Sequence, residues 1–319
     1  MDILFVTATR IGDAVLSTGL LAHLIERFPH ARLTIAAGPV AAPLFEAMPG
    51  LEQLIVIEKR RWSLHWLPFY SAVVTRCWDL VVDLRGSALA WLLRAGDRKV
   101  MAKGDAREHR VRQLARLFDL DPPPNPQLWT ATQHDQKASA LLSPGGPVLA
   151  IGPAANWPAK QWRAERFAEL AARLTASDGP LYGSRVAVLA APHERPLAKP
   201  VLDALPCGGR IDLVGRVDLP TAAAVLRRCT MFIGNDTGLM HIAAASGTPT
   251  LGLFGPSPVA QYAPWGPRTA WVRSADPPEA MFGAGFNHRT TGTLMDGLSV
   301  DAAEAAACRL WHSIESLAA

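Results

Sequence analysis

Apolar and polar positions alternate along the chain in blocks. Ile3–Ala8 is a nearly unbroken apolar run, Thr9–Asp13 interrupts it, and an apolar helix-like segment follows through Phe28. Residues 31–38 (ARLTIAAG) predict a second strand, a helix follows near Ala41–Met48, and 51–58 (LEQLIVIE) and 78–87 (WDLVVDLRGS) predict two more strands. Continuous apolar strands separated by helices predict a parallel sheet covered on both faces. The proline-rich stretch 121–129 (DPPPNPQLW) fits neither a helix interior nor a central strand, so it reads as the way out of a first domain.

The same alternation then restarts. Strands are predicted at 147–154 (PVLAIGPA), 185–192 (RVAVLAAP), 210–215 (RIDLVG), 231–236 (MFIGND) and 250–255 (TLGLFG). Helices are predicted at about 163–176, at 219–229, just after Asp236, and at 300–317. The expected class is α/β, with two doubly wound Rossmann-like domains, 1–145 and 146–319, facing a central cleft. The last helix, about 300–319, is a candidate to pack back on the N-terminal domain. Ligands of such folds sit at the carboxyl ends of the strands.

Composition supports two cores. The 319 residues are 49% apolar and 19% charged. The net charge of +4 does not call for nucleic acid, and none is expected as a partner. Charge is uneven, however: Arg94–Arg116 holds eight Lys/Arg against Asp97, Asp105 and Glu108. A solvated helix face and a surface for an anionic partner both fit that segment. Cys77, Cys207, Cys229 and Cys308 are widely spaced, which argues against a zinc or redox motif and predicts reduced thiols. The N-terminus reads as a first strand and not a signal peptide, no run is long enough to span a membrane, and a cytoplasmic location is expected.

Four places carry candidate chemistry. Asp13 follows the first strand, with Gly12 allowing a tight turn, but Asp before an apolar helix is also a common N-cap. Asn156 and Lys160 lie in the loop before a helix; a Lys there opposes the helix dipole yet suits a phosphate. Glu194 sits beyond a strand end, where a carboxylate can accept ribose hydroxyls, although a surface Glu fits as well. Asn235–Gly238 opens a helix with more hydrogen-bonding groups than a cap requires. There Thr237 and Gly238 leave N–H groups for an anion, His241 can donate to it, and Asp236 can hold the hydroxyl of an attached sugar. Neither half carries GxGxxG after its first strand, which weakens a nicotinamide dehydrogenase reading.

Taken together, these motifs resemble glycosyltransferase family 9, the ADP-heptose:lipopolysaccharide heptosyltransferases. The resemblance rests on RIGDAVLSTGLLAHLIERFPHARL, VVDLRGS, GPAANWPAKQWRAERFAELAARL, IGNDTGLMHIAAASGTPTLGLFGPS, PWGP and LMDGLSVDAAEAA, and it runs over nearly the whole chain. It implies a GT-B fold with the acceptor on the N-terminal domain and the nucleotide-sugar on the C-terminal domain. It also implies Asp13 as catalytic base and Lys160 as phosphate ligand. Asn156 stands where hydroxyl side chains often contact phosphate, Glu194 near the ribose-binding acid, and Val217 where the adenine is covered. Asp236, Thr237, Gly238 and His241 match the donor block. The implied reaction is an inverting transfer of a heptose or related sugar from an ADP-sugar to a lipopolysaccharide core acceptor, with no metal and no cofactor. One base and one anion cradle suffice, because a nucleoside diphosphate leaves readily once its charge is met.

The implied acceptor is an anionic glycolipid at the cytoplasmic face of the inner membrane. Arg60, Arg61, Trp62 and Trp66 in KRRWSLHWLPFY mix basic and aromatic residues, as membrane interfaces do, though a core helix with a basic edge fits equally. Peripheral membrane contact is therefore expected. Two other readings stay open: a nucleotide-sugar epimerase of the same fold, and a non-catalytic sugar-nucleotide-binding protein of envelope assembly.

Overall fold

The computed structural model describes residues 1–59, 61–102, 104–277, 281–282 and 291–318. Two compact units divide the chain, Met1–Ala131 and Thr132–Ala319. The sequence placed the division at 145/146. The intervening helix, Thr132–Leu142, packs on a helix of the second unit, Leu219–Leu226.

The first unit is a five-stranded parallel sheet in the order β3-β2-β1-β4-β5. Its strands are β1 (Asp2–Val6), β2 (Arg32–Ala37), β3 (Leu51–Val56), β4 (Cys77–Asp83) and β5 (Arg94–Val100). The helices are α1 (Ile11–Arg27), α2 (Trp66–Val73), α3 (Leu89–Leu92) and α4 (Arg110–Ala115). The helix expected near Ala41–Met48 is a single 3₁₀ turn, Ala42–Phe45, with a proline in it. Phe69 and Val73 of α2 and Ala90 of α3 join one core cluster with Leu4, Val6 and Val81, so both helices cover the same face of the sheet.

The basic segment Arg94–Arg116 is not one helix face. Its first part is β5, the edge strand, paired to β4 with Val82 opposite Lys99. Polar and charged side chains on an edge strand discourage pairing with another chain, and they hid the strand from a search for apolar runs. Much of the positive charge is used locally. Arg98 donates to the carbonyls of Ala90, Leu93 and Ala95, Arg107 pairs with Asp105, and Arg116 pairs with Glu108. Lys99 lies over the Phe118 ring. Lys103 lies outside the described residues. The proline-rich stretch runs over α1, with Gln127 N–H donating to Thr18 Oγ1 at 3.0 Å. Gly19 permits this approach, since a Cβ there would stand 2.5 Å from the Pro124 carbonyl oxygen.

The second unit is a six-stranded parallel sheet in the order β11-β10-β9-β6-β7-β8. Its strands are β6 (Val148–Gly152), β7 (Arg185–Val188), β8 (Arg210–Asp212), β9 (Met231–Asn235), β10 (Thr250–Phe254) and β11 (Thr269–Arg273). Seven helices accompany them among the described residues: α5 (Thr132–Leu142), α6 (Ala164–Thr175), α7 (Arg195–Ala204), α8 (Leu219–Leu226), α9 (Gly238–Ala245), α10 (Val259–Tyr262) and α11 (Val300–Ala318). The last of these, α11, packs on α6, β10 and β11. Gly152 and Gly234 face each other across β6 and β9. A Cβ on either would press within 2.8 Å of the Phe232 ring, so both must be glycine for the strands to keep this packing. No described helix is long and apolar enough to cross a membrane.

Candidate functional site

Every strand in each sheet runs the same way, so the loops after the strands gather at one edge. In the first unit, β1 and β4 are neighbours with Val6 opposite Asp83. Leu84 N–H continues the ladder to the Val6 carbonyl at 2.9 Å, which sets the loop after β4 beside the loop after β1. Thr7 and Ser17 hydroxyls meet at 2.8 Å and tie that second loop to α1.

Asp13 is half-buried in the first turn of α1. It is not the N-cap. That position belongs to Arg10, whose side chain makes no capping hydrogen bond. The capping reading of Asp13 therefore falls, and a first-turn carboxylate gains from the helix dipole instead. Gly12 precedes it within the same turn.

The surface expected around residues 60–66 divides. Arg60 lies outside the described residues. Arg61 is exposed, and Trp62 is 91% exposed with a left-handed backbone (φ 57°), an uncommon conformation for a bulky residue. Trp66 is not part of an open surface. Its ring packs against Phe69 and His65, with centroids 5.7 and 5.1 Å away, and the Arg85 guanidinium lies over it at 4.4 Å.

In the second unit, the candidates lie in the loops after four strands at the carboxyl edge. Asn156 and Lys160 follow β6, Glu194 follows β7, Val217 follows β8, and Asp236, Thr237 and Gly238 follow β9. Lys160, Asp236 and His241 come together. Lys160 Nζ donates to Asp236 Oδ2 at 2.6 Å, and His241 Nε2 stands 4.0 Å from Asp236 Oδ1. The Asp236 side chain is 7% exposed and that of Lys160 23%. The buried carboxylate thus fixes the ammonium in place, where a free Lys side chain would sample many rotamers.

Thr237 occupies the N-cap of α9 with extended backbone, and its hydroxyl makes no capping bond. The first-turn N–H groups of α9 have no acceptor within the helix, because all helix starts leave them so. With the dipole, they form the surface of an anion site, and Lys160 is held beside it.

Three further residues stand apart. Asn156 is exposed, four positions before Lys160. Glu194 is half-buried, and its Oε2 accepts the Ala191 N–H at 2.8 Å, so one of its oxygens orders its own turn. Val217 is half-buried just before Asp218, which caps α8 by accepting the Thr221 N–H at 2.8 Å. Among the described residues, no three His, Cys, Asp or Glu side chains are grouped to hold a metal ion.

Two supports were missed from the sequence. Asn235 is fully buried. Its Oδ1 accepts the Trp162 N–H at 3.1 Å and its Nδ2 donates to the Pro153 carbonyl at 2.8 Å, so it clamps both ends of the Lys160 loop. The second is the segment 293–298, which crosses that loop. Leu294 N–H donates to Ala159 O at 3.0 Å, Thr293 Oγ1 to Gln161 O at 2.6 Å, and Trp162 Nε1 to Leu298 O at 2.9 Å. Arg163 pairs with Asp296 through both oxygens, and it holds the Asp296 carboxyl below the usual carboxylate range. Polar side chains next to a cap motif were the available signal for Asn235; for the crossing segment it was LMDGL, which carried part of the resemblance without pointing to the Lys160 loop.

Comparisons with known proteins agree on a family. The family model described as glycosyltransferase family 9 (heptosyltransferase) matches residues 69–286. Lipopolysaccharide heptosyltransferase 2 of Salmonella typhimurium is 27% identical over 297 residues, covering 81% of this chain and 83% of the relative. Lipooligosaccharide heptosyltransferase 2 of Haemophilus influenzae is 25% identical over 310 residues, covering 83% and 86%. Among solved structures, the ADP-heptose lipopolysaccharide heptosyltransferase II of E. coli superposes with a TM-score of 0.76 at 21% identity, covering 99% of this chain and all of that one. With its two parallel α/β units, the chain shares the GT-B fold of that enzyme.

Proposed function

We propose, for a chain that belongs to glycosyltransferase family 9, the heptosyltransferase family, that it transfers a heptose from an ADP-sugar to a lipopolysaccharide core acceptor, with inversion and without a metal. The names of its relatives support this substrate class. The epimerase and non-catalytic readings are not favoured by that family membership.

One observation carries the reading at the level of residues: Lys160, fixed on buried Asp236 at 2.6 Å, stands beside the open N-terminus of α9. That is the chemistry a leaving diphosphate needs. In the proposed step, Asp13 accepts the proton of an acceptor hydroxyl. The hydroxyl oxygen bonds to the anomeric carbon from the face opposite the departing group, and the bond from that carbon to the phosphate oxygen breaks. The pair of electrons leaves with ADP, whose charge is met by Lys160, His241 and the N–H groups of Thr237 and Gly238. Glu194 and Asn156 take ribose and phosphate, and Val217 covers the base. Asp236 serves first by aiming Lys160, and its Oδ1 remains for a sugar hydroxyl.

A thermal-shift screen across ADP-, UDP- and GDP-sugars, together with a transfer assay run with and without chelator, tests the proposal. Saturating ADP-heptose at a hundred times its Kd should add about 2.7 kcal/mol of stability. Equal stabilisation by all three classes, or loss of transfer on chelation, would overturn it.

Peripheral contact with the cytoplasmic face of the inner membrane belongs to the same proposal. Arg61, Trp62, Leu64 and Leu67 are exposed together at the start of α2. Such a patch suits an anionic lipid surface. Partial sedimentation with anionic vesicles at low salt is expected; no binding at low salt would remove the idea.

A further inference from the structure

In the first unit, two arginines have opposite circumstances. Arg98 spends its guanidinium on three backbone carbonyls. Arg85, two residues past the end of β4, has no acidic partner among the described residues. The one acid close to it is Asp83, buried at the strand end. Asp83 Oδ1 accepts the Arg85 backbone N–H at 2.8 Å, and Oδ2 accepts the Ser87 N–H at 2.8 Å and the Ser87 hydroxyl at 2.5 Å. Its oxygens are thus used in making the turn. Arg85 Nη1 is buried with no hydrogen-bond partner. Burial pushes the Arg85 pKa down, with Asp83 opposing, and an arginine stays charged through such a shift.

A half-buried guanidinium whose one nearby carboxylate is taken up by its own turn is unfavourable unless something completes it. The surroundings suggest what does. The guanidinium lies over Trp66 at 4.4 Å, and Trp66 in turn stacks on His65. A guanidinium carried over an aromatic face is restrained there and keeps edge N–H groups for a planar, bidentate anion. Beside the stack lies a recess of about 180 Å³ walled by Ile55–Glu58, His65, Pro68 and Phe69, whose Glu58 and His65 can meet hydroxyl groups. The loop that carries Arg85 adjoins the loop that leads to Asp13, through the Leu84–Val6 hydrogen bond.

We infer that Arg85, held over Trp66, anchors an anionic group of the acceptor, a carboxylate or a phosphate, and thereby selects which acceptor is presented to Asp13. This rests on the reading that the first unit takes the acceptor.

The test compares wild type, Arg85→Gln and Arg85→Lys as full chains in two ways. The first is transfer kinetics with truncated core acceptors prepared with any carboxylate free or as its methyl ester, and with or without phosphate. Arg85→Gln should raise the acceptor KM at least about tenfold on the charged acceptor while the donor KM stays within about twofold. On the acceptor that lacks the recognised anion, the two proteins should converge, and whichever neutralisation produces convergence identifies carboxylate or phosphate. Arg85→Lys keeps the charge without the fork and should recover only part of the loss. A merely structural role would raise KM equally on charged and neutral acceptors, and that result overturns the inference. The second is tryptophan fluorescence on titration with a truncated acceptor that carries a free carboxylate, which needs no donor. Arg85-dependent binding of the acid in a protein that transfers no heptose would sink the proposed function and leave the anchor standing. Heptose transfer with Arg85-independent discrimination between acid and ester would do the reverse.

Discussion

The two sheets end their strands differently. At the edge of the first, Asp83 is satisfied within four residues of itself, by Arg85 and Ser87. At the edge of the second, Asn235 reaches partners 73 and 82 positions away, and Asp236 takes Lys160 from 76 positions away. The first edge is therefore a self-contained turn that leaves Arg85 over Trp66 and Asp13 in its helix. The second is a cradle assembled from distant segments, with Thr293–Leu298 bound across it. A prebuilt cradle suits a site that must hold a fixed diphosphate, because the ordering of Lys160 is complete before the ligand arrives. A locally closed turn leaves the neighbouring surface free to differ with the acceptor.

Substitutions can break this contrast. The largest effect is expected from Asp13→Asn, which removes the proposed base: kcat should fall by about 10²–10⁴-fold, since general-base catalysis contributes that much. Asn235→Ala comes next. It leaves the buried Trp162 N–H and Pro153 carbonyl unpaired, and denaturant unfolding should show a loss of about 2–5 kcal/mol. Ser87→Ala at the first edge removes one local bond and should lose only about 1 kcal/mol by the same measurement. Equal losses at the two edges would contradict the contrast. Lys160→Ala should weaken ADP-heptose binding about 10- to 100-fold, as the loss of a charged hydrogen bond to phosphate implies, and leave the acceptor KM unchanged.

The smallest effect belongs to Asp296→Asn. The Arg163–Asp296 pair is exposed, so its removal should lower stability only slightly. Its pH dependence has a definite sign. Arg163 holds the folded-state carboxyl below its ordinary value, so the contribution is full above about pH 4, the unfolded carboxylate range, and disappears as pH falls through the folded value. The stabilities of wild type and variant should converge in acid. A gap that widens in acid would contradict the pairing.

The alternation of elements was legible because the central strands are continuous in apolar residues: Ile3–Val6, Val81–Val82, Leu149–Ile151 and Leu251–Phe254 are all buried. Two of the four edge strands, β5 and β11, were not. Arg94–Val100 is largely charged, and Thr269–Arg273 sits amid prolines and glycines, so neither shows an apolar run. Candidate chemistry was legible where it sits at strand ends, as with Asp13, Lys160 and Asp236. Its wiring was not. Sequence spacing cannot reveal that Lys160 and Asp236 bond each other, that Asn235 clamps the Lys160 loop, or that Trp66 lies beneath Arg85. The N-cap ambiguity of Asp13 was a matter of helix register, which only the start at Ile11 resolves.

The central claim is that the second unit holds the donor and the first supplies the base. Calorimetric titration of Asp13→Asn with ADP-heptose tests it most directly, in a preparation whose transfer activity is measured alongside. The account predicts kcat lowered by about 10²–10⁴-fold and a donor Kd within about threefold of wild type, a shift of under 1 kcal/mol. Donor affinity lost together with turnover, or turnover retained, would contradict it.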